Sequence, residues 1–155
     1  KNPFILVLDG LTDVRNFGAI ARTCEVAGVD AIVIPSRGSV TVNSDAVKTS
    51  AGALHTIPVC REKSLKEAVV LLKNSGIKVI AATEKAATVY TSSDMSIPIA
   101  VVMGSEDEGI SNEIIRISDE LIKLPQFGKI QSLNVSVAAG VIIYEGLRQR
   151  QESAL

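Results

Sequence analysis

The side chains best suited to chemistry lie in two polar segments near the ends of the chain. Near the start, LDGLTDVRNFGAIARTC places Asn16 at the beginning of a helical pattern and Arg22 on the polar face of that pattern. Near the other end, Gln126–Glu145 begins as a glycine-containing polar loop and places Ser132 and Asn134 where a helix follows. A permanently charged guanidinium suits a phosphate or a developing oxyanion, and hydroxyl and amide groups can orient a ligand.

Each of these residues also has a purely structural interpretation. Asn16, Ser132 and Asn134 are residue types preferred as helix caps. Arg22 stands three residues before Glu25, a spacing that permits an ion pair on a helix surface. Taken one at a time, the residues therefore leave function and structure equally open.

A third polar segment, MGSEDEGI, follows an apolar run and places Glu106, Asp107 and Glu108 between two glycines. Consecutive carboxylates do not converge on one centre, so a metal site is disfavoured. The alternatives are a turn that needs glycine backbone freedom, or a close approach of the backbone at Gly104 to a ligand. The sequence has no GxGxxG, GxxxxGK[ST] or GxSxG motif, and His55 is its only histidine. Ordinary dinucleotide, P-loop, hydrolase and histidine-metal sites are therefore not supported.

The composition predicts one domain over residues 1–155, because 46% of the residues are hydrophobic and the length is typical of a single core. A net charge of −1 offers no bulk attraction for nucleic acid, so any RNA contact must be local. Aromatic residues make up only 3% of the chain, and base-stacking platforms are not expected to be prominent. Cys24 and Cys60 suggest free thiols and a cytoplasmic protein, and no apolar run reaches the length of a membrane span.

Hydrophobic periodicity predicts a mainly parallel α/β sheet flanked by helices. Buried strands are predicted at Phe4–Asp9, Ala31–Pro35, His55–Val59, Ile77–Thr83, Ile97–Met103 and Glu120–Leu124. Helices are predicted at Val14–Gly28, Asn43–Ala51, Leu65–Asn74, Asn112–Ile117 and Ser132–Arg150, the last kinked or tightly packed around Gly140, with one turn at Ala86–Tyr90. Ligands of such sheets collect at the carboxyl ends of strands, which here carry the loops after Asp9, Thr83, Met103 and Leu124.

Three segments taken together resemble the motifs of the SpoU/TrmH family of RNA ribose 2′-O-methyltransferases. They are NFGAIARTCEVAGV, VVMGSEDEGIS and IKLPQFGKIQSLNVSVAAGVIIYEGLRQR, and NSDAVKTSAGA brings the likeness closest to the subgroup that methylates a guanosine in 23S ribosomal RNA. The resemblance implies a C-terminal trefoil knot, an S-adenosylmethionine site formed by that knot, a homodimer and no metal requirement. A preceding RNA-binding domain is compatible with it.

The resemblance also implies roles for individual residues. Catalysis is assigned to Asn16, Arg22, Glu106, Ser132 and Asn134, with Glu106 holding Asn16 or Arg22 in place. The cofactor is expected at Thr83, Gly104, Ile122, Leu124, Leu133 and Asn134. RNA contact is expected at Arg22, and charge alone adds Arg15, Lys48, Lys129, Arg148 and Arg150 as candidates for phosphate binding. Two departures from the family pattern, Asp13-Val14 and Pro125-Gln126, leave every reactive side chain intact but affect loop shape and substrate.

The implied reaction is attack of a ribose 2′ hydroxyl of structured RNA, most simply a guanosine of 23S rRNA, on the methyl group of S-adenosylmethionine. Because a guanidinium keeps its proton at neutral pH, Arg22 is expected to stabilise charge or position a phosphate rather than act as a base. Alternatives are a tRNA substrate, a non-catalytic RNA-binding or ribosome-assembly module of the same fold, and a small-molecule module of flavodoxin or receiver type.

Overall fold

A computed structural model describes residues 2–40 and 42–155, in which seven strands alternate with helices. The strands are β1 (Phe4–Asp9), β2 (Ala31–Pro35), β3 (Val59–Glu62), β4 (Lys78–Ala82), β5 (Thr88–Val89), β6 (Ile99–Gly104) and β7 (Glu120–Lys123). The α-helices are α1 (Val14–Ala27), α2 (Ser44–Thr49), α3 (Leu65–Asn74), α4 (Asn112–Ile117) and α5 (Val135–Ser153), and short 3₁₀ turns occupy Ala53–His55 and Tyr90–Ser92.

All seven strands join one parallel sheet in the order β3-β2-β1-β6-β4-β7-β5. The central strands β1 and β6 pair along their whole length, from Phe4 opposite Ile99 to Asp9 opposite Gly104. Both are apolar runs, as expected of parallel strands that are covered on both faces. The predicted parallel α/β sheet is thus confirmed. Strands β2 and β3 are added on one side of β1 and all later strands on the other, so the order of addition changes side between β1 and β6. Open α/β sheets form ligand crevices at such a point.

The two faces of the sheet carry separate apolar layers. In β1, Leu6 and Leu8 point into the layer beneath α1 and α5, whereas Val7 points into the layer beneath α3 and α4. This alternation follows from the two-residue period of a strand. The sheet therefore holds α1 and α5 against each other on one face. This pairing brings together the polar motifs that lie near the two ends of the sequence.

The third strand differs from its prediction. His55 ends a 3₁₀ turn, and the strand comes later, at Val59–Glu62, where Pro58 accepts a hydrogen bond from the Ile32 amide. This strand lies at the edge of the sheet and exposes its last three residues. The apolar run at His55–Val59, from which the strand was predicted, therefore did not mark its position. The turn predicted at Ala86–Tyr90 is also wrong, because Thr88–Val89 forms a strand that pairs with β7.

The last helix begins at Val135 rather than Ser132 and continues to Ser153. Its tightly packed glycine is Gly146, not the predicted Gly140. A Cβ atom on Gly146 would lie 2.5 Å from Cε2 of Phe4, whereas one on Gly140 would find its nearest neighbour at 3.9 Å. The helix can therefore lie directly over the start of β1 only because residue 146 has no side chain. None of the helices described is both long and apolar enough to cross a membrane.

Candidate functional site

One residue from each of the three sequence motifs meets at the edge of the sheet. The Asn16 side-chain amide donates to Glu106 Oε1 at 2.6 Å, and the Asn134 side-chain amide donates to Asn16 Oδ1 at 3.2 Å. These residues are separated by 90 and 118 positions along the chain. The predicted contact between Glu106 and Asn16 is therefore present, and Asn134 extends it into a chain of three side chains.

Asn16 is available for this contact because a different residue caps α1. Asp13 Oδ1 accepts hydrogen bonds from the Arg15 and Asn16 amides at 2.8 and 3.0 Å, so the capping interpretation of Asn16 is wrong. The helix ends at Gly28, whose φ of 80° is a conformation that glycine adopts without strain. With its backbone already satisfied, Asn16 directs its side chain outward to Glu106 and Asn134.

Asn134 combines the two interpretations that the sequence left open. Its side-chain oxygen accepts from both the amide and the hydroxyl of Ser136 and so caps α5, while its amide group reaches Asn16. One residue therefore starts the last helix and fixes it to the first. Ser132 is exposed and forms no hydrogen bond with the described chain, so the structure does not bring it into this cluster.

The loop after β6 closes tightly upon itself. Gly109 donates its amide to the Ser105 carbonyl at 3.0 Å, and a side chain on Gly104 would overlap the backbone of Gly109 and Ile110. The space beside Gly104 is thus filled by the loop itself, which explains the glycine without a ligand. The closure also presents Glu106 toward Asn16 at the tip of the loop.

Four of the predicted cofactor residues, Thr83, Gly104, Ile122 and Leu124, lie in or directly after the neighbouring strands β6, β4 and β7, and the other two, Leu133 and Asn134, directly precede α5. The Thr83 amide donates to the Ile122 carbonyl at 2.9 Å, which joins the ends of β4 and β7. Ile122 is fully buried, Leu124 is half-buried and Leu133 is 54% exposed. An exposed leucine offers an apolar surface of the kind that the face of an adenine base requires.

Arg22 lies apart from the cluster. It is exposed and lines a cleft of about 220 Å³ between α1 and residues 50–56, together with Glu25 and Val26. The cleft forms because α2 packs closely on α1 at Gly18, where a Cβ would lie 2.7 Å from the Ala46 carbonyl oxygen. Across the described residues, Arg22 makes neither the ion pair with Glu25 nor a hydrogen bond with Asn16 or Asn134.

A second cavity, of about 320 Å³, lies at the carboxyl ends of β1 and β6. It is lined by Asp9, Gly10, Lys85, Ser105, Glu108, Gly109, Ile110, Ser111 and Asn112. None of the predicted cofactor residues lines it. Asp9 Oδ2 accepts from the Ser111 amide at 2.8 Å and so ties β1 to the start of α4. Within residues 2–40 and 42–155, no group of histidine, cysteine, aspartate and glutamate side chains could hold a metal ion.

Two of the basic residues proposed for phosphate binding have structural partners instead. The Arg150 guanidinium donates to the carbonyls of Asn2, Pro3, Met95 and Ile97 and lies 4.8 Å from the centroid of the Phe4 ring. Arg148 binds Glu145 and Glu152, and its hydrogen bond lowers the pKa of the Glu145 carboxyl. Arg15, Lys48 and Lys129 are exposed and stay candidates.

The connection from β7 to α5 holds the feature that sequence reasoning missed. Residues 125–134 are all exposed, and Phe127 and Ile130 keep 96% and 84% of their surface open to solvent. We find no hydrogen bond between residues 125–133 and the rest of the described chain. The sequence contains three phenylalanines, of which Phe4 and Phe17 are buried. The signal available in the sequence was that the third, Phe127, stands in a polar loop.

The sheet and the cluster define a parallel α/β domain that brings polar side chains of three sequence motifs together at the carboxyl edge of its strands. The chain belongs to the SpoU rRNA Methylase family, whose sequence profile matches residues 3–144. It is 41% identical over 150 residues to the 23S rRNA (guanosine-2'-O-)-methyltransferase RlmB of Photorhabdus laumondii, covering 97% of this chain and 62% of that protein. The chain thus spans about three fifths of that relative.

Solved structures give the same result for the fold. The A. aeolicus TrmH/SpoU tRNA modifying enzyme matches with a TM-score of 0.90 and 30% identity, over 99% of this chain and 78% of that one. The SpoU methyltransferase AviRb from Streptomyces viridochromogenes, in complex with the cofactor AdoMet, matches with a TM-score of 0.91 and 25% identity, over 98% of this chain and 62% of that one. The predicted family is therefore confirmed.

Proposed function

We propose that the chain is the catalytic domain of an S-adenosylmethionine-dependent RNA ribose 2′-O-methyltransferase. The observation that carries the proposal is the hydrogen-bonded chain Glu106–Asn16–Asn134, which joins the three family motifs at the carboxyl edge of the sheet. An intact cluster of this kind favours an active enzyme over a non-catalytic RNA-binding module. A flavodoxin-like or receiver-like module would leave the same cluster without a purpose.

The chain's own residues would divide the work between binding and charge stabilisation. S-adenosylmethionine, when bound at Thr83, Gly104, Ile122, Leu124, Leu133 and Asn134, supplies an electrophilic methyl group. Glu106 would hold Asn16 in place, and Asn16 would hold Asn134, because the Asn16 amide donates to Glu106 and the Asn16 side-chain oxygen accepts from Asn134. Arg22 would neutralise charge near the ribose or its phosphate as the 2′ hydroxyl loses its proton. Ser132 would orient the substrate from the exposed loop.

The position of Arg22 supports a homodimer in which two copies complete each site. Arg22 lies six residues after Asn16, which is about 9 Å along the helix and roughly 120° around it. One copy therefore presents Arg22 on a different face from its own cluster. On α5, Val137, Val141 and Tyr144 form an exposed apolar stripe with 51%, 36% and 46% of their surface open, which offers a surface for a second copy.

The dimer is tested by placing a charge in that stripe. Val141→Asp should convert a dimer into monomers in sedimentation experiments, because a carboxylate would be buried without a partner. Leu71→Asp is the matched control, since Leu71 is a 66% exposed apolar residue on α3, on the opposite face of the sheet. A monomeric parent protein, or equal effects of both variants, would contradict this arrangement.

We also propose that the segment from β7 to α5 forms the trefoil knot of the family. The support is topological: β7 is separated from β1 by β6 and β4, yet α5 packs on α1, so residues 124–134 must cross the strand ends. Pulling the two ends of the chain apart with an optical trap should leave the extended chain shorter than its 155 residues allow. A fully extended length equal to that of an unknotted chain would rule the knot out.

For the substrate, we propose a guanosine of 23S rRNA, with tRNA as the second candidate. The RlmB relative is named for 23S rRNA and guanosine, whereas the A. aeolicus structure is described as a tRNA modifying enzyme. The deciding experiment offers labelled S-adenosylmethionine with total rRNA and total tRNA and then maps the modified nucleotide. Absence of transfer to either RNA would contradict the enzymatic proposal.

Arg22→Ala should abolish transfer in that assay while leaving a folded dimer that binds cofactor. Arg61→Ala is the matched control, because Arg61 is an exposed arginine on the edge strand β3. Cofactor binding is measured independently as a rise in Tm at millimolar S-adenosylmethionine, since a ligand that binds only the folded state stabilises it. Unchanged transfer by Arg22→Ala would refute the assigned role.

A further inference from the structure

The exposed loop between β7 and α5 carries an aromatic side chain that the fold leaves uncovered. Phe127 keeps 96% of its surface open to solvent, and no hydrogen bond ties residues 125–133 to the rest of the described chain. A phenylalanine left exposed in this way forfeits the free energy that its burial would release. Ile130 and Leu133 of the same loop are exposed as well, and apolar side chains exposed as a group mark interaction sites.

We propose that Phe127 is a stacking platform for an unpaired nucleobase of the RNA substrate. This inference rests on the proposed function and adds to it a residue that recognises the substrate. Sequence-tolerant RNA binding combines aromatic faces, on which unstacked bases lie, with cations that track the phosphates. Phe127 supplies such a face, and Lys129, two residues later, supplies the cation.

The charge and position of the loop favour RNA over a protein partner. Residues 125–134 contain one lysine and no carboxylate, although the whole chain is slightly acidic. The loop ends at Asn134, which is hydrogen-bonded to Asn16 in the site cluster. A base resting on Phe127 would therefore contact the same loop that leads into the cluster. The apolar stripe on α5, by contrast, has no cation among its three members.

The first test compares RNA affinities of alanine variants. With a hairpin RNA that has a guanosine-containing loop, Phe127→Ala should weaken binding by about 5- to 100-fold, which corresponds to the loss of one stacked base. Binding of a fully paired duplex should be unchanged, because its bases are already stacked. Ile130→Ala is the matched control, since Ile130 is 84% exposed in the same loop but has no aromatic face. Phe127→Tyr should restore hairpin binding.

The second test detects the stack directly. The chain contains no tryptophan, so Phe127→Trp introduces a unique fluorophore. Its emission should be quenched by the hairpin and not by the duplex, whereas Ile130→Trp should respond equally little to both. Equal losses for Phe127→Ala and Ile130→Ala, or an absence of hairpin-specific quenching, would overturn the inference. So would a Phe127→Ala protein that binds RNA normally but sediments as a smaller species, because the ring would then contact a second copy.

These outcomes are distinguishable from failure of the proposed function. Hairpin-specific quenching without any methyl transfer by the parent protein would remove the enzymatic activity and keep the stacking platform. Normal transfer by Phe127→Ala, with an unchanged KM for RNA, would keep the enzyme and remove the platform. If both proposals hold, Phe127→Ala should raise the KM for RNA while leaving the affinity for S-adenosylmethionine as it was.

Discussion

Two glycines of α5 should respond to the same substitution with opposite signs. Gly146→Ala adds a methyl group 2.5 Å from Cε2 and 2.9 Å from Cζ of Phe4, a side chain that is only 3% exposed. The ring cannot move away freely, because the Arg150 guanidinium lies 4.8 Å from its centroid and is itself held by four carbonyl groups. Gly140→Ala adds the same methyl group with its nearest neighbour at 3.9 Å, an ordinary contact.

The expected magnitudes follow from two competing effects. Replacing glycine by alanine inside a helix stabilises the folded state by about 1 kcal/mol. Forcing an extra methyl group into a filled core costs about 1–3 kcal/mol, and an overlap of roughly 1 Å with a ring that cannot retreat belongs in the upper half of that range. Gly146→Ala should therefore lower the free energy of unfolding by about 1 kcal/mol, and Gly140→Ala should raise it by about 1 kcal/mol.

Urea denaturation followed by circular dichroism measures both variants. With an m-value of about 2 kcal/mol/M, the two midpoints should differ by about 1 M, one on each side of the parent protein. Phe4→Leu replaces the ring by a smaller side chain. It should lower the free energy of unfolding less in the Gly146→Ala background than in the parent protein, because the effects of neighbouring changes are not additive. A Gly146→Ala protein as stable as the Gly140→Ala protein would refute the packing argument.

Three further predictions concern side chains around α5 and α1. Arg150→Lys should lower the free energy of unfolding by at least about 2 kcal/mol, because an ammonium group cannot donate hydrogen bonds to four carbonyls arranged around a planar guanidinium. Thermal or urea denaturation measures this loss. The hydrogen bond from Arg148 lowers the pKa of the Glu145 carboxyl, so this contact stabilises the fold at pH values above the usual carboxyl pKa of 4.5 and is lost as the pH falls. The Glu145→Gln protein should therefore be less stable than the parent protein at pH 7, and its stability should fall less steeply in acid. Burial raises the pKa of the Cys24 thiol to about 12, so a thiol reagent should modify only the exposed Cys60 until the protein is unfolded.

Sequence periodicity was sufficient where an element is buried on a consistent face. The strands Phe4–Asp9 and Ala31–Pro35 and the helix Leu65–Asn74 have their predicted bounds, because apolar runs and a Ser64 cap specify them locally. The strand predicted at His55–Val59 failed because an edge strand needs only one neighbour and little apolar surface. No local pattern could show that β6 pairs with β1, since that contact joins residues 95 positions apart.

The site divides in the same way. The family resemblance made Glu106 a possible partner of Asn16, and the structure supplies that hydrogen bond and adds Asn134 to it. The sequence interpretation placed a cap at Asn16, although a helix that begins at Val14 leaves the cap position to Asp13, which is the residue that caps α1. It also gave no reason to separate Arg22 from the cluster, which depends on the side-chain direction around α1. The exposure of Phe127 is likewise a property of the assembled chain, since the same residue type is buried at positions 4 and 17.

The pairing of β1 with β6 has a consequence for the order in which the protein can fold during synthesis. Strand β1 is made 95 residues before its partner β6, so one of its two edges stays bare until Ile99–Gly104 has left the ribosome. Until then the part of the sheet that can form around β1 consists of β1, β2 and β3. This half-sheet exposes an apolar strand edge, a known route to misassociation between chains. Closure of the centre therefore depends on contacts distant in sequence, and contacts of that kind slow the folding of a domain.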